Sequence, residues 1–471
     1  MTHGNEEAPL SENISDQQLR LKWIAVVVLS VVAGTGVGGC DEMEGNQYGT
    51  SENLILVTVD TLRSDFLGVY GYELPVSPNI DLMASRALVF ERAYSTAPFT
   101  APSHASILTA QHPSTHGVIF NGHRAPVNIS KVSVTIAEHL QAEGFETGAV
   151  VSASPLDSKY GFGRGFDEYH LIQKSAHRDL GGDGARVIQK AVEWLDARRS
   201  GKRFFLWVHL FDPHLPYVSS KETLEELGLA SDLIVKRKDA KKLPAEIIRS
   251  AYRAEVYEAD RHFGDLQRYL ESAELDGSTL IALTADHGEY LGEHGRNDHS
   301  LLYDEVLAVP LLIRPPSLKK QVRRTDVVST VDLVPTLLEL LGVKPLPHAQ
   351  GQSLLDASRS DRAVYAEWRH YSTLNENYRP KPGDFLMSVQ VDSTKYIYDV
   401  GVPKASQLYD LSGDPDESQN LLDERGEILE RLRSVFGEHV RDELPNGILG
   451  VSQVSIDDES KEMLRSLGYL E

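Results

Sequence analysis

Short apolar runs alternate with amphipathic stretches along most of the chain. The runs are rich in β-branched and aromatic residues and lack polar alternation, which is typical of strands buried on both faces. They lie at Leu54–Val59, Thr147–Val151, Phe204–Leu210, Leu280–Thr284 and Val309–Ile313. Helical spacing of apolar residues predicts helices at Val132–Ala142, Val187–Leu195 and Leu333–Leu341. Strands that alternate with helices predict an α/β fold with a large, mostly parallel sheet sandwiched by helices.

The pattern changes in two places. Residues 220–250 are dense in charge, which predicts a helical surface insertion that is either a lid or a solvated face without a role. Beyond about residue 360, Lys395–Val400 and Gln407–Leu411 predict strands joined by glycine and proline turns. We therefore expect a main domain over residues 52–360. A C-terminal α+β subdomain should follow over residues 361–471, with a small antiparallel sheet and a helical tail.

The N-terminal segment has the features of an export signal. Two basic residues precede the apolar run Trp23–Ala33, and the small residues of Val37–Cys40 follow it. This arrangement resembles a bacterial lipoprotein signal over residues 1–40, with Cys40 as the lipidated N-terminus after cleavage. Residues 41–51 would then be a polar tether. We expect an exported protein anchored to a membrane through its lipid, on the periplasmic or cell-surface side; an uncleaved transmembrane anchor is the alternative.

Composition narrows the classes of function. The chain has 471 residues and a single cysteine, so it has no internal disulfide and no cysteine-based zinc site. Its net charge of −22 repels phosphate backbones, and we expect no binding to nucleic acid.

Acidic residues follow three of the predicted strands. Asp60 follows the first, Asp212 and His214 follow Phe204–Leu210, and Asp286 and His287 follow Leu280–Thr284. A single aspartate at a strand end most simply caps a helix. Three in corresponding positions favour a shared site, because ligands of open parallel sheets bind beyond the carboxyl ends of the strands. Carboxylate and imidazole groups together bind divalent cations.

A hydroxyl residue stands at the start of another predicted helix. In the segment Thr100–Ala110, Thr100 precedes a proline and an apolar stretch. A helix N-terminus favours a bound anion through its N–H groups, and contact with a metal would activate the hydroxyl as a nucleophile. The simpler alternative is a threonine that only caps the helix.

This segment resembles the sulfatase signature Cys/Ser-x-Pro-Ser-Arg-x-x-Leu-Leu-Thr-Gly. The residues that match in register are Pro102, Ser103, Leu108 and Thr109. Further stretches resemble the family in the same order, namely Leu54–Asp65, Asp286–Glu289, Tyr303–Leu311 and Leu408–Pro415. The resemblance implies an alkaline-phosphatase-like fold, hydrolysis of a sulfate or phosphate ester, and a catalytic domain over residues 52–360.

The chain departs from the sulfatase pattern at its reactive position. Thr100 stands where sulfatases oxidise Cys or Ser to formylglycine, and oxidation of threonine would give a ketone. His104 replaces the arginine that supports this group, and Thr61 replaces the second aspartate of the first metal loop. A threonine nucleophile resembles the nucleotide pyrophosphatase/phosphodiesterase relatives of the same superfamily.

That resemblance implies two sets of metal ligands. The first set is Asp60, Thr100, Asp286 and His287, and the second is Asp212, His214 and His299. One ion would be Ca or Mg, whereas two would be Zn or Mn. Asn121 either donates a hydrogen bond to a non-bridging oxygen of the substrate or is a turn residue before Gly122.

The sequence therefore predicts a metal-dependent hydrolase of an anionic ester. Its catalytic residues would be Thr100, His104 and Asn121, and the departures favour a phosphoester. Three alternatives stay open: a true sulfatase that works through unmodified Thr100, a phospho-group transferase, and a binding protein that has lost turnover.

Overall fold

The structure is a computed structural model that describes residues 48–121, 128–172, 183–198, 201–356, 362–374, 379–424 and 426–443. The predicted signal region, Cys40 and most of the 41–51 tether lie outside the described residues. None of the described helices combines the length and the apolarity that crossing a bilayer requires.

The main sheet is built from the buried apolar runs. Its strands are β1 Asn53–Val59, β2 Leu88–Tyr94, β3 Glu146–Val151, β4 Glu168–Leu171, β5 Phe204–Leu210, β6 Thr279–Ala285, β7 Ala308–Arg314 and β8 Val322–Ser329. They are arranged in the order β4-β3-β5-β1-β6-β7-β2-β8. All neighbours pair in parallel, except that β7 runs antiparallel to β6 and to β2. The predicted mostly parallel sheet is confirmed.

Helices cover this sheet and connect its strands. Their bounds are α1 Pro78–Ala84, α2 Thr100–Thr109, α3 Pro113–His116, α4 Ile136–Ala142, α5 Gly184–Asp196, α6 Lys221–Glu226, α7 Arg237–Ala240, α8 Ala245–Ser272, α9 Asp304–Leu307 and α10 Leu333–Leu340. Helix α4 begins four residues later than Val132, because Thr135 and Glu138 form a capping box at its N-terminus.

A smaller antiparallel sheet follows the main one. Its strands β9 Ala363–Arg369, β10 Phe385–Val391, β11 Thr394–Asp399 and β12 Gln407–Asp410 are arranged in the order β12-β11-β10-β9. Helix α11, Gly426–Glu443, contributes Leu429, Leu432 and Phe436 to the core that covers this sheet. The predicted small C-terminal sheet is therefore confirmed, while the exact boundary at residue 360 stays a prediction.

The order of the central strands determines where the polar loops meet. Strands β5, β1 and β6 are parallel neighbours, with Val59 of β1 paired to Leu210 of β5 and to Ala285 of β6. Their carboxyl ends therefore lie side by side, and so do the loops that begin at Phe211, Asp60 and Asp286.

Candidate active site

Two of the three predicted strand-end aspartates lie together. Asp60 and Asp286, with His287, place ligand atoms within 4.8 Å of one another. All three side chains are fully buried. The sequence prediction that loops distant in the chain bring these residues to one point agrees with this geometry.

Asp286 and His287, in the loop after β6, each use one polar atom for a hydrogen bond to the backbone. The other polar atom of each side chain faces the point where the three residues meet. Asp286 Oδ1 accepts hydrogen bonds from the backbone N–H groups of Thr61 (3.1 Å) and His287 (2.9 Å). His287 Nδ1 lies 2.8 Å from the Gly288 carbonyl, which can only accept, so Nδ1 carries the proton. Asp286 Oδ2 and His287 Nε2 lie 3.4 Å apart, and neither has a hydrogen-bond partner among the described residues.

This donor set fits a divalent cation. A ligating histidine typically donates its second ring nitrogen to a carbonyl, as His287 does. Burial raises the pKa of Asp286 and lowers the pKa of His287 to about 4. Burying carboxylates without a counter-charge is costly, and a cation bound by Asp60, Asp286 and His287 removes that cost.

The backbone at Thr61 is part of this arrangement. Thr61 has a φ of 56°, a left-handed conformation that is uncommon for a β-branched residue. Its N–H reaches Asp286, and its carbonyl accepts a 2.7 Å hydrogen bond from the Tyr252 hydroxyl of α8. The same hydroxyl accepts a 2.9 Å bond from the Arg63 N–H. Helix α8 thus holds the loop that carries Asp60.

Thr100 is the first residue of α2 and lines a cavity of about 720 Å³. The first turn of α2 differs from the expectation that its N–H groups are open to an anion. The Ala101 N–H donates to Asn121 Oδ1 at 2.9 Å, and the Ser103 N–H donates to the Phe99 carbonyl at 3.0 Å. Pro102 has no N–H. Anion binding beside Thr100 must therefore come mainly from side chains and a cation.

Asn121 has an orientation that its hydrogen bond determines. Because the Ala101 N–H can only donate, the amide group of Asn121 must present its oxygen to it. The amide nitrogen then points elsewhere, and Asn121 lines the cavity with Thr100. This geometry agrees with the predicted hydrogen-bond donor.

His104 is fully buried behind Thr100 and does not line the cavity. Its Nδ1 lies 2.8 Å from the Thr100 carbonyl and 3.6 Å from Asp286 Oδ2, and its Nε2 lies 3.0 Å from Thr58 Oγ1. Burial lowers the pKa of His104, and the Asp286 carboxylate opposes this shift. The side chain therefore holds the Thr100 segment and does not face a substrate.

His209 of β5 is a buried polar residue that the sequence patterns did not single out. Its ring centroid lies 4.9 Å from that of His104, and its Nε2 lies 3.7 Å from Asp60 Oδ2. Burial lowers its pKa well below the ordinary range. A histidine inside an otherwise apolar strand was the available signal.

The second predicted ligand set is divided between two environments. His214 and His299 line the cavity, with ring centroids 5.5 Å apart. Asp212 does not line it and lies beside Glu255, whose pKa is raised well above its ordinary value by burial and by the Asp212 carboxylate. The three residues form no compact ligand group like the first set within the described part of the chain.

Two further parts of the cavity wall come from segments that supply none of the predicted site residues. One part is the end of β9 and the residue after it, Trp368, Arg369 and His370. The other is Arg237, which belongs to α7 in the charged 220–250 region. That region is thus not only a solvated surface, since one of its side chains faces the cavity. No local periodicity marks these residues, because their role depends on how distant segments pack.

Comparison with known proteins agrees with the fold. The family model described as Sulfatase matches residues 52–343, and the model for the C-terminal part of N-sulphoglucosamine sulphohydrolase matches residues 292–440. Iduronate 2-sulfatase of Homo sapiens is 27% identical over 76% of this chain and 81% of its own. The ulvan-active sulfatase of Formosa agariphila is 24% identical, over 86% and 84%.

Solved structures share the architecture. A protein in complex with its substrate D-glucosamine-2-N,6-O-disulfate superposes with a TM-score of 0.70 at 21% identity, over 85% of this chain and 99% of the other. The phosphonate monoester hydrolase of Agrobacterium radiobacter gives 0.68 at 20% identity, over 82% and 96%. Since the Sulfatase model covers well over half of the residues, this chain belongs to the sulfatase family of ester hydrolases, with an alkaline-phosphatase-like fold.

Proposed function

We propose that this hydrolase cleaves a phosphate ester and that Thr100 is its nucleophile. One observation carries the proposal: a secondary alcohol lines the cavity at the start of α2, in a chain whose Asp60, Asp286 and His287 form a buried cation site. The sulfatase signature has an oxidisable Cys or Ser at this position, and Thr100 cannot form the aldehyde.

The lack of an aldehyde favours phosphorus over sulfur. A formylglycine hydrate can expel sulfate from its own carbon, whereas a threonyl ester must be cleaved by water. Water attacks phosphorus readily from the side opposite the leaving oxygen. The phosphonate monoester hydrolase among the structural neighbours has a similar fold, so this architecture is compatible with phosphorus chemistry as well as with sulfate esters.

The reaction would proceed in two displacements. The Thr100 oxygen forms a bond to phosphorus, the bond to the leaving oxygen breaks, and that oxygen departs with a proton. Water then adds to phosphorus, the bond to Thr100 breaks, phosphate departs, and Thr100 recovers its proton. A divalent cation held by Asp60, Asp286 and His287 would supply Lewis-acid charge for the hydroxyl and for the phosphoryl oxygens.

Other residues of the chain would position the reacting groups. The side-chain oxygen of Asn121 accepts a hydrogen bond from the Ala101 N–H, so the side-chain nitrogen of Asn121 would donate to a non-bridging oxygen of the substrate. His104 would keep Thr100 in place through its bond to the Thr100 carbonyl. It is a positioning residue, because it has no face on the cavity.

We extend the proposal to a second cation at His214 and His299. His214 Nδ1 lies 2.6 Å from the Leu215 carbonyl and His299 Nδ1 lies 2.8 Å from the Pro98 carbonyl, so both rings carry their proton on Nδ1. Each Nε2 then offers a lone pair, as metal ligands require. Imidazole ligands favour Zn or Mn over Ca or Mg. Asp212 stays a predicted third ligand.

Replacement of Thr100 tests the proposed function. Thr100→Ala should reduce kcat/KM by about a thousandfold or more, because it removes the hydroxyl that attacks phosphorus. Thr100→Ser is the matched control, since it keeps an alcohol at the same atom and should retain substantial turnover. Mass spectrometry of acid-quenched wild type should detect a phosphoryl group on the peptide that contains Thr100.

A substrate panel separates the alternatives. Purified, metal-replete protein should prefer aryl phosphate mono- or diesters over an aryl sulfate. A clear preference for sulfate would replace the proposal with a sulfatase that works through unmodified Thr100. The names of the sulfatase relatives favour sulfate as the substrate group. Transfer to an added acceptor alcohol would indicate a transferase, and no turnover on any ester would indicate a binding protein. Two zinc-like ions per chain would agree with the phosphoesterase, and one calcium with the sulfatase.

We also propose that the protein is exported and anchored to a membrane through a lipid on Cys40. The basic, apolar and small-residue order before Cys40 supports this location. Labelling of cells with a radioactive fatty acid should mark the wild type and not Cys40→Ser. Equal labelling of both proteins would reject the lipid anchor.

A further inference from the structure

Three arginine side chains line the cavity, and they differ in how closely acidic groups approach them. Arg296 forms a 2.9 Å ion pair with Asp298. Arg369 is nearly buried, lies 4.1 Å from the Phe385 ring centroid and is subject to the charge of Glu367. The third, Arg237, forms no ion pair with any carboxylate of the described residues, although its charge acts on the buried Glu289.

The position of Arg237 is determined by the chain on both sides of it. Two backbone hydrogen bonds join Tyr217 and Val235, with N···O distances of 3.0 and 3.1 Å, and both side chains are buried. This bridge holds the segment around Val235, within the 220–250 region, against the loop after β5. Arg237 follows the bridge by two residues, so its backbone cannot move far from the cavity.

Its guanidinium lies beside a carbonyl that also holds a cavity-lining histidine. Arg237 Nη2 donates to the Leu215 carbonyl at 3.2 Å. The same carbonyl accepts from His214 Nδ1 at 2.6 Å, so the Arg237 guanidinium and this cavity-lining imidazole share one acceptor. One bond to a carbonyl leaves most of the five guanidinium N–H groups available to a ligand.

We propose that Arg237 is a specificity-determining residue that binds a second anionic group on the alcohol portion of the substrate. The inference rests on the proposed ester hydrolysis at Thr100. A guanidinium binds carboxylate, sulfate or phosphate oxygens through paired N–H groups, and no carboxylate of the described residues lies within ion-pair distance of Arg237 to occupy those groups. The 220–250 region thereby selects esters whose leaving group carries a negative charge.

Paired substrates test this role. We would compare kcat/KM for 4-nitrophenyl phosphate and for its analogue with a carboxylate on the ring. The wild type should prefer the carboxylated ester, and Arg237→Ala should reduce that preference by about ten- to hundredfold. Arg237→Lys should retain part of it. Lys238→Ala, an exposed neighbour on α7 that does not line the cavity, is the matched control and should keep the wild-type preference.

A binding experiment separates failure of this inference from failure of the proposed chemistry. Calorimetric titration with benzenesulfonate and with 4-sulfobenzoate needs no turnover. The wild type should bind the doubly charged probe more tightly, and Arg237→Ala should lose that difference. The inference is overturned if the wild type does not discriminate between the probes or if Arg237→Ala still does. An equal loss of kcat/KM on both phosphate esters in Arg237→Ala would likewise overturn it, since Arg237 would then act on the reaction centre or on the fold.

Discussion

At the candidate cation site, Asp286 and His287 each have one polar atom bonded to a neighbour and one polar atom left for a ligand. Asp286 uses Oδ1 for two backbone N–H groups, and His287 uses Nδ1 for a carbonyl. What remains is one carboxylate oxygen and one imidazole nitrogen, both buried and 3.4 Å apart. The tautomer and the direction of each ligand are thus determined before any ion binds.

Asp286→Asn should weaken the cation site, because it removes the charge on the ligating oxygen and keeps the acceptor for the N–H groups. We expect divalent-metal affinity to fall by at least about tenfold. The rise in Tm on adding metal to chelator-treated protein should shrink accordingly. Asp265→Asn changes an exposed carboxylate of α8 that pairs with Arg268 and should leave the metal response intact. A wild-type response in Asp286→Asn would contradict the assignment.

His116 should make the fold sensitive to acid. Its Nδ1 accepts a 3.1 Å bond from the Val118 N–H, and burial lowers its pKa to about 3. An unfolded histidine has a pKa of about 6.5. Between these values only the unfolded chain binds the proton, so the stabilisation is complete above pH 6.5 and is lost as the pH falls towards 3. The slope approaches about 1.4 kcal/mol per pH unit.

Urea unfolding at pH 7 and pH 5 measures this effect. His116→Asn keeps an acceptor for the Val118 N–H without a titrating group, so its loss of stability over this interval should be smaller than that of the wild type by about 2 kcal/mol. His170→Asn, at a partly exposed position, is the control and should behave as the wild type. Parallel pH profiles for His116→Asn and wild type would refute the prediction.

At the scale of elements, helix α8 stabilises the loop that carries Asp60, although it contributes none of the proposed ligands. The helix has 28 residues, and Tyr252 in its N-terminal third reaches the loop after β1. The hydroxyl satisfies one carbonyl and one N–H of that loop, at Thr61 and Arg63. The unusual backbone of Thr61 depends on this contact.

Tyr252→Phe should therefore cost more than an ordinary hydroxyl deletion. It leaves two buried backbone groups without a partner, and we expect the free energy of unfolding to fall by about 1–3 kcal/mol. Turnover should fall as well, because the Thr61 N–H orients Asp286. Tyr257→Phe, on the more exposed side of the same helix, should change stability by less than about 0.5 kcal/mol. Equal effects of the two substitutions would show that the Tyr252 contacts are unimportant.

At the scale of the whole molecule, the C-terminal sheet is joined to the main domain through both apolar and ionic contacts. One apolar cluster combines Tyr303 and Val306 with Trp368 and Ile397. Lys395 of β11, only 1% exposed, lies 2.7 Å from Asp304 and 3.0 Å from Glu417. Since Trp368 and Arg369 line the cavity, docking of this sheet completes the site.

Lys395→Met should destabilise the protein by about 3–5 kcal/mol, because it leaves the buried Glu417 carboxylate and the partly exposed Asp304 carboxylate without their cation. The double substitution Lys395→Met/Glu417→Gln removes one of those charges and should recover part of the loss. Urea unfolding of the three proteins measures both effects. If the double variant is as unstable as the single one, burial of the Glu417 charge is not the cause.

The sequence alone determined the features that depend on local pattern. Buried strands such as Leu280–Thr284 carry their signal in a continuous apolar run, and the residue after each strand follows by position. A parallel sheet then brings the strand ends together, so Asp60 and Asp286 could be predicted as neighbours. The hydroxyl of Thr100 at a helix start, with its sulfatase-like surroundings, was also recognisable.

Tertiary structure decided which side chains face the cavity and which atoms are already in use. Asp212 also follows a strand, yet it lies beside Glu255 because α8 packs against its loop. The N–H groups that begin α2 are occupied by Asn121 and Phe99. Arg237 and Trp368 reach the site from segments more than a hundred residues from Thr100. Such placements depend on packing between distant elements, and no local periodicity records that packing.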